Sequence, residues 1–237
     1  MTLKISPRRV YQLLTLVVVS LTLASLAGQF STYFLGHDTL KGFVRLFYLD
    51  NENNIPTWYS SSALLLCSLL LATIAVAKKR DGAHYVFHWT ALSIIFLFLS
   101  LDEAASVHEI TISPLKAALN AGPVLQHTWV ILGAAVVLTI VVMYWRFLSD
   151  LPSPTRRLFL TAGIIYVGGA LGIELLGGWY DALYGWRNMT YAMIATIEEF
   201  FEMQGIVVFI YALMSYMNMH LKEVRVRIGD EGSSLPS

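Results

Sequence analysis

Six stretches of the chain run nearly uncharged for the twenty or so residues that a helix needs to cross about 30 Å of hydrocarbon. They fall at about 10–34, 57–77, 84–108, 124–147, 157–178 and 190–218. The pattern predicts an all-α integral membrane bundle of six transmembrane helices, forming one domain over 1–228. A short polar tail, 229–237, is expected to be disordered.

The connections between these stretches carry the basic residues unevenly. Lys4, Arg8, Arg9, Lys78, Lys79, Arg80, Arg146, Arg156, Arg157, Lys222, Arg225 and Arg227 fall on one side, and Lys41, Arg45, Lys116 and Arg187 on the other. Twelve against four places both termini in the cytoplasm by the positive-inside rule, for a multi-pass protein of the cell (inner) membrane. Basic residues, an apolar run and Ser25-Leu26-Ala27 also resemble a signal peptide. The run is long for one, so it is read as a membrane helix.

The long connection 35–56 contains Phe43-Val44-Arg45-Leu46-Phe47-Tyr48, a mixture of aromatics and a cation suited to the headgroup layer. Thr57 is a candidate cap for the second span. In the fifth span, Gly168 and Gly172 have the small-xxx-small spacing that lets helices approach closely. Trp58, Trp129, Trp179 and Trp186 gather near span ends on one side, and Trp89 and Trp145 on the other, as an aromatic belt. Asp102-Glu103 in the third span and Glu198-Glu199 in the sixth hint at inverted halves, but the other spans do not align.

Composition agrees with the membrane reading: 56% of residues are hydrophobic, 14% are charged, and mean hydropathy is +0.61. Zero net charge gives no reason to expect nucleic acid as a partner. The single cysteine, Cys67, excludes an intramolecular disulfide and reads as a small buried hydrophobe.

Against this background nine ionisable residues stand out: Asp102, Glu103, His108, Glu109, His127, Glu174, Glu198, Glu199 and Glu202. A carboxylate at the centre of a membrane helix costs roughly 3 kcal/mol on an insertion scale, so these groups must share protons, cations or water. At 1.5 Å per residue Glu174 lies roughly 24 Å from the cytoplasmic start of its span, and the others fall near the same level in the outer leaflet. On a continuous helix Asp102, Ser106 and Glu109 share one stripe, with Glu103 at its edge and His108 well off it. Glu198 and Glu202 stack one turn apart.

Carboxylate-rich ligation with imidazole suits a divalent metal, iron or manganese before zinc. The expected ligands are Asp102, Glu103, Glu109, His127, Glu174, Glu198 and Glu202, with Ser106, His108 and Glu199 supporting them or handling protons. This reading makes the chain a candidate metal-dependent oxidoreductase on a lipophilic substrate. It lacks the Glu-x-x-His of soluble di-metal bundles, because Glu103 precedes His108 by five. One alternative is a proton- or cation-coupled transporter or channel using the same acids. Another is a buried polar network that only holds the helices in register. Membrane lipids are the expected surroundings, a lipophilic substrate or cation the expected partner, and self-association stays open.

His84 and His88, one turn apart at the cytoplasmic start of the third span, form a second and weaker candidate site. Haem is disfavoured, since irons on His88/His220 and His108/His127 would lie about 30 Å apart. No phosphate-binding glycine loop and no Gly-x-Ser-x-Gly elbow occur.

Two segments, Asn54-Ile55-Pro56-Thr57-Trp58-Tyr59-Ser60 and Ser100-Leu101-Asp102-Glu103-Ala104-Ala105-Ser106-Val107-His108-Glu109, resemble a family of bacterial polytopic membrane proteins that is uncharacterised. The resemblance covers mainly the second and third spans and implies no activity, cofactor or catalytic residue.

Overall fold

A single long helix organises the molecule. In the computed structural model, which describes residues 5–37, 39–110, 112–119 and 127–221, the last helix among the described residues runs Met189–His220. The apolar part of that helix is 50% buried inside the protein. Around it are α1 (Pro7–Leu35), the short α2 (Phe43–Phe47), α3 (Ile55–Arg80), α4 (Val86–Ala105), α5 (Val107–Ile110), α6 (Ile112–Leu119), α7 (Trp129–Asp150), α8 (Ser153–Val167) and α9 (Glu174–Tyr184). The central helix is therefore α10. A π-helical turn, Gly168–Ile173, joins α8 to α9 into one continuous segment. Among the described residues six helices are long and apolar enough to cross a membrane, as the apolar pattern predicts. The polar tail 229–237 lies outside the described residues.

The first apolar run is a helix from Pro7, with proline at its start where no intrahelical N–H is lost. After Gly36 the chain turns back, and Val44 of α2 settles over Gly28 of α1, whose missing side chain leaves the space. The headgroup-layer segment is thus partly docked on the bundle. Asn54, and not Thr57, caps α3: its Oδ1 accepts from the Thr57 amide at 3.1 Å and the Thr57 hydroxyl at 3.0 Å.

α3 and α4 run antiparallel and are joined by two reciprocal serine pairs. Ser68 Oγ donates to the Ser93 carbonyl at 2.7 Å and Ser93 Oγ returns the bond at 2.9 Å. Ser61 and Ser100 do the same, both at 2.8 Å. Small hydroxylated residues in apolar helices give close approach and also satisfy their own polar atoms. α1 is tied to α10 by Gln29, fully buried, whose Nε2 donates to Thr196 Oγ1 at 2.6 Å.

The close approach expected at Gly168 and Gly172 does not occur there, since a side chain at either position would meet nothing. The π turn inserts an extra residue and rotates the helix face, bringing Gly169 against α10 instead. A methyl on Gly169 would sit 3.0 Å from the Glu198 carbonyl, and one on Gly205 only 2.7 Å from the Tyr166 amide nitrogen. Gly205→Ala is therefore expected to push α8 off α10 and cost roughly 1–3 kcal/mol. The check is a lowered melting temperature of the detergent-purified protein; unchanged melting would contradict this packing.

α7 lies at the periphery of the bundle, as α1 and α4 do. Of its apolar stretch 17% is buried, as in α1, against 11% in α4 and half in α10. It touches the bundle at one end, where Gly133 meets Leu171, and at the other, where Tyr144 and Phe147 join an aromatic cluster with Trp89, Phe159 and Tyr216. Between these two contacts it stands away from α4 and α8.

Candidate functional site

The gap beside α7 is a cavity of about 1180 Å³. α4, α7, α8, the π turn and α10 wall it with Leu92, Phe96, Leu99, Val137, Ile140, Phe159 and Phe209. One end is closed by ionisable groups: Asp50, Glu52, Asp102, Glu103, His108, His127, Glu174, Glu198, Glu199 and Glu202 all line it. Several rim residues on either side of α7 are also open to the surroundings of the bundle. Ile94 and Phe98 of α4 are 61% and 57% exposed, and Ile164 of α8 is 72% exposed. The cavity therefore opens sideways, where a membrane-spanning protein meets lipid.

The acidic end is built by a break in the third apolar stretch. Ser106 has φ +52°, a left-handed conformation that stops α4 at Ala105 and starts α5 in a new direction. His108 then turns back onto Asp102. Its amide donates to Asp102 Oδ1 at 2.7 Å, capping α5, and its Nδ1 lies 3.2 Å from Asp102 Oδ2. The straight-helix expectation that put His108 well away from Asp102 is thus corrected. The same break takes Ser106 out of the Asp102 stripe, and its hydroxyl donates to Glu52 instead. Glu109 lies outside the described side chains.

A second acid–base pair faces the first. His127, just ahead of α7, sets its Nδ1 2.7 Å from Glu174 Oε1, although the ring N–H is not aimed along the line. Trp129 Nε1 donates to that same Oε1 at 2.9 Å. Gly178 makes room for the imidazole, since a methyl there would stand 3.3 Å from its ring. Burial pulls the His127 pKa down, but the adjoining Glu174 carboxylate, helped by Asp181 and Asp50, outweighs it and holds the pKa above its ordinary value. Trp129 joins the two pairs: its ring packs on His108 with centroids 5.0 Å apart. Treating Trp129 only as part of an aromatic belt overlooks this position.

The remaining acids complete a ring. Glu198 reaches Glu174, and Gly177 leaves its carboxyl room. Glu202 faces Glu103 and Asp102, and Glu199 lies near Glu202, Glu103 and Asp50. Two carboxyls in contact need a proton or a cation between them. The two imidazoles His108 and His127 cannot balance this number of acids, so the ring needs a further positive partner or protons. Among the described residues no group of three His, Cys, Asp or Glu side chains converges closely enough to hold a metal ion.

The expected site residues whose side chains are described thus gather at one end of one cavity. Sequence reading also passed over Asp50, Glu52, Tyr166 and Tyr191, which line it too. The polar turn Asp50-Asn51-Glu52 beside an aromatic, headgroup-type segment was the available signal for the first two. The second candidate site does not assemble. Tyr85 has φ +67° and α4 starts only at Val86, so His84 is left exposed before the helix. His88 is instead stacked on Phe147 at 5.5 Å within the aromatic cluster.

A family model described as a domain of unknown function, DUF8692, matches residues 11–217. No curated protein and no solved structure matches the chain.

Proposed function

The chain belongs to the DUF8692 family, and we propose that this member holds a lipophilic molecule in the cavity beside α7, with the polar end of that molecule among the acid–base ring. The observation that carries the reading is the cavity itself: apolar walls open sideways, closed at one end by two imidazole–carboxylate pairs. A lipophile enters such a site from the membrane with its tail solvated throughout, and only its head meets polar groups. Imidazole–carboxylate pairs are general acid–base groups, so the ring can give or take protons at that head. Toward the other end the walls are apolar apart from Tyr144. This supports chemistry at one membrane face over a carboxyl relay across the whole bilayer. By the positive-inside rule that face is the outer one.

A divalent metal is the second reading, favoured by the excess of carboxyls over bases and by three donors, His127, Glu174 and Glu198, brought together from a loop and two helices. It requires the ring to tighten around the ion, and would make the site a metal-dependent oxidoreductase centre. Iron or manganese is then the expected ion.

The first reading is tested with geranylgeraniol, added to the protein in lipid nanodiscs and followed by native mass spectrometry. Saturable binding of one molecule per chain is expected. Linear, non-saturating uptake would overturn it. Elemental analysis of the same sample separates the second reading, since stoichiometric iron or manganese would support it and nil content would remove it.

A further inference from the structure

The cavity is longer than one leaflet of a bilayer. On α7 it is lined from Trp129 to Leu148, nineteen residues and so about 28 Å. On α10 its lining runs from Tyr191 to Phe209, about 27 Å. At the far end it reaches Phe159 of α8, six residues beyond the helix start at Ser153 and so about 9 Å from it. The hydrocarbon core of a bilayer is about 30 Å thick, so a chain anchored at one face and confined to its own leaflet extends only about 15 Å. An ordinary acyl tail anchored at the acid–base ring would fill only the nearer half of this cavity. Resting on the reading above, we propose that the ligand is a single long linear lipophile of polyisoprenoid length, whose head sits at the acid–base ring and whose tail continues past the bilayer midplane toward Tyr144.

The wall chemistry suits such a chain. Phe96 and Phe209 stack at 4.7 Å with planes 7° apart, and Phe159 packs edge-on to Phe209 at 4.8 Å. They give flat, rigid surfaces for a branched, unsaturated chain to lie against. Selectivity has to come from shape, because moving a tail from lipid into protein gains no hydrophobic free energy. A single long chain lying along this depth touches the walls from end to end. A short chain leaves wall atoms without contacts.

The test compares farnesol, which reaches roughly one leaflet, with solanesol, which reaches well beyond it. Both are offered together to the full-length protein in nanodiscs, and the bound fraction of each is read by native mass spectrometry. The wild type is expected to retain solanesol over farnesol by roughly tenfold, a difference of about 1.4 kcal/mol. Ile140→Trp, placed about 16 Å below Trp129 on the same helix, fills the deep half and is expected to bring the ratio to about one. Val137→Phe is a smaller intrusion on the same wall, should the first variant fail to fold. Saturable binding of both alcohols with no preference overturns the length assignment and leaves the lipophile reading standing. Saturable binding of neither overturns the lipophile reading itself. A preference that survives both substitutions also contradicts the proposal, because the tail would then lie elsewhere.

Discussion

Leu99→Trp is expected to abolish saturable geranylgeraniol binding, weakening it at least tenfold, while leaving the melting temperature nearly unchanged. Leu99 lines the cavity one helical turn from Glu103, directly beneath the acid–base ring. An indole there occupies the space next to the head, so every ligand loses its place whatever its tail length. Enlarging a side chain in a well-packed core costs about 1–3 kcal/mol, but this one grows into open volume. Binding and stability should therefore separate. Leu97→Trp is the control, since Leu97 is 43% exposed on the outside of the same helix and does not line the cavity. Equal loss in both variants would show that a general disturbance of α4, and not occupancy of the cavity, was being read.

Glu174→Gln is expected to produce a pH-dependent loss of stability. In the wild type the folded-state pKa of His127 lies above its ordinary value near 6.5, chiefly because the Glu174 contact outweighs burial. A raised pKa means that the folded state binds the proton more tightly than the unfolded one. The stabilisation is fully present below the ordinary value and fades as pH rises through the raised one. In the variant only the charges of Asp181 and Asp50 still oppose burial, so the charged form of His127 loses most of its support and the stability relative to wild type falls as pH falls. The melting-temperature gap should be widest at about pH 5.5 and smallest at about pH 9, on either side of the ordinary imidazole value. Breaking one partner of a fully buried pair costs about 3–5 kcal/mol. With side chains still 22% and 15% exposed, roughly 2 kcal/mol is expected at the acid end. A gap that is constant with pH, or widest in alkali, would show that the pair does not work this way.

The six spans were legible because the apolar run and its length are set by the bilayer, whatever the helices pack against. The common depth of the acids was legible for the same reason, as rise per residue is fixed. Facing was not. The left-handed Ser106 and the π turn at Gly168–Ile173 each alter the direction of the residues that follow. Extrapolating 100° per residue across Ser106 therefore assigns His108 to the wrong neighbours, and the small-xxx-small spacing selects Gly168 and Gly172 where Gly169 makes the contact. Serine adopts a positive φ only at a cost, so its type gave no warning of the break. The role of Trp129 was hidden differently: a tryptophan at a span end satisfies the belt pattern, and only the tertiary structure brings Glu174 to its indole N–H. The cavity was not legible at all. A lipid-facing residue and a cavity-facing residue are equally apolar, so α7 reads as an ordinary span while standing clear of its neighbours.

The most direct measurement is a crystal structure of the protein in a lipidic phase, grown with hexadecanol brominated at its tail. The bromine anomalous signal locates the chain end without dependence on the fit of weak density. The account predicts a bromine peak inside the cavity between α4 and α7, with the hydroxyl end beside Glu174 and His108. Bromine found only on the outer surface of α7, with α7 closed against α4 and no space between them, would contradict it.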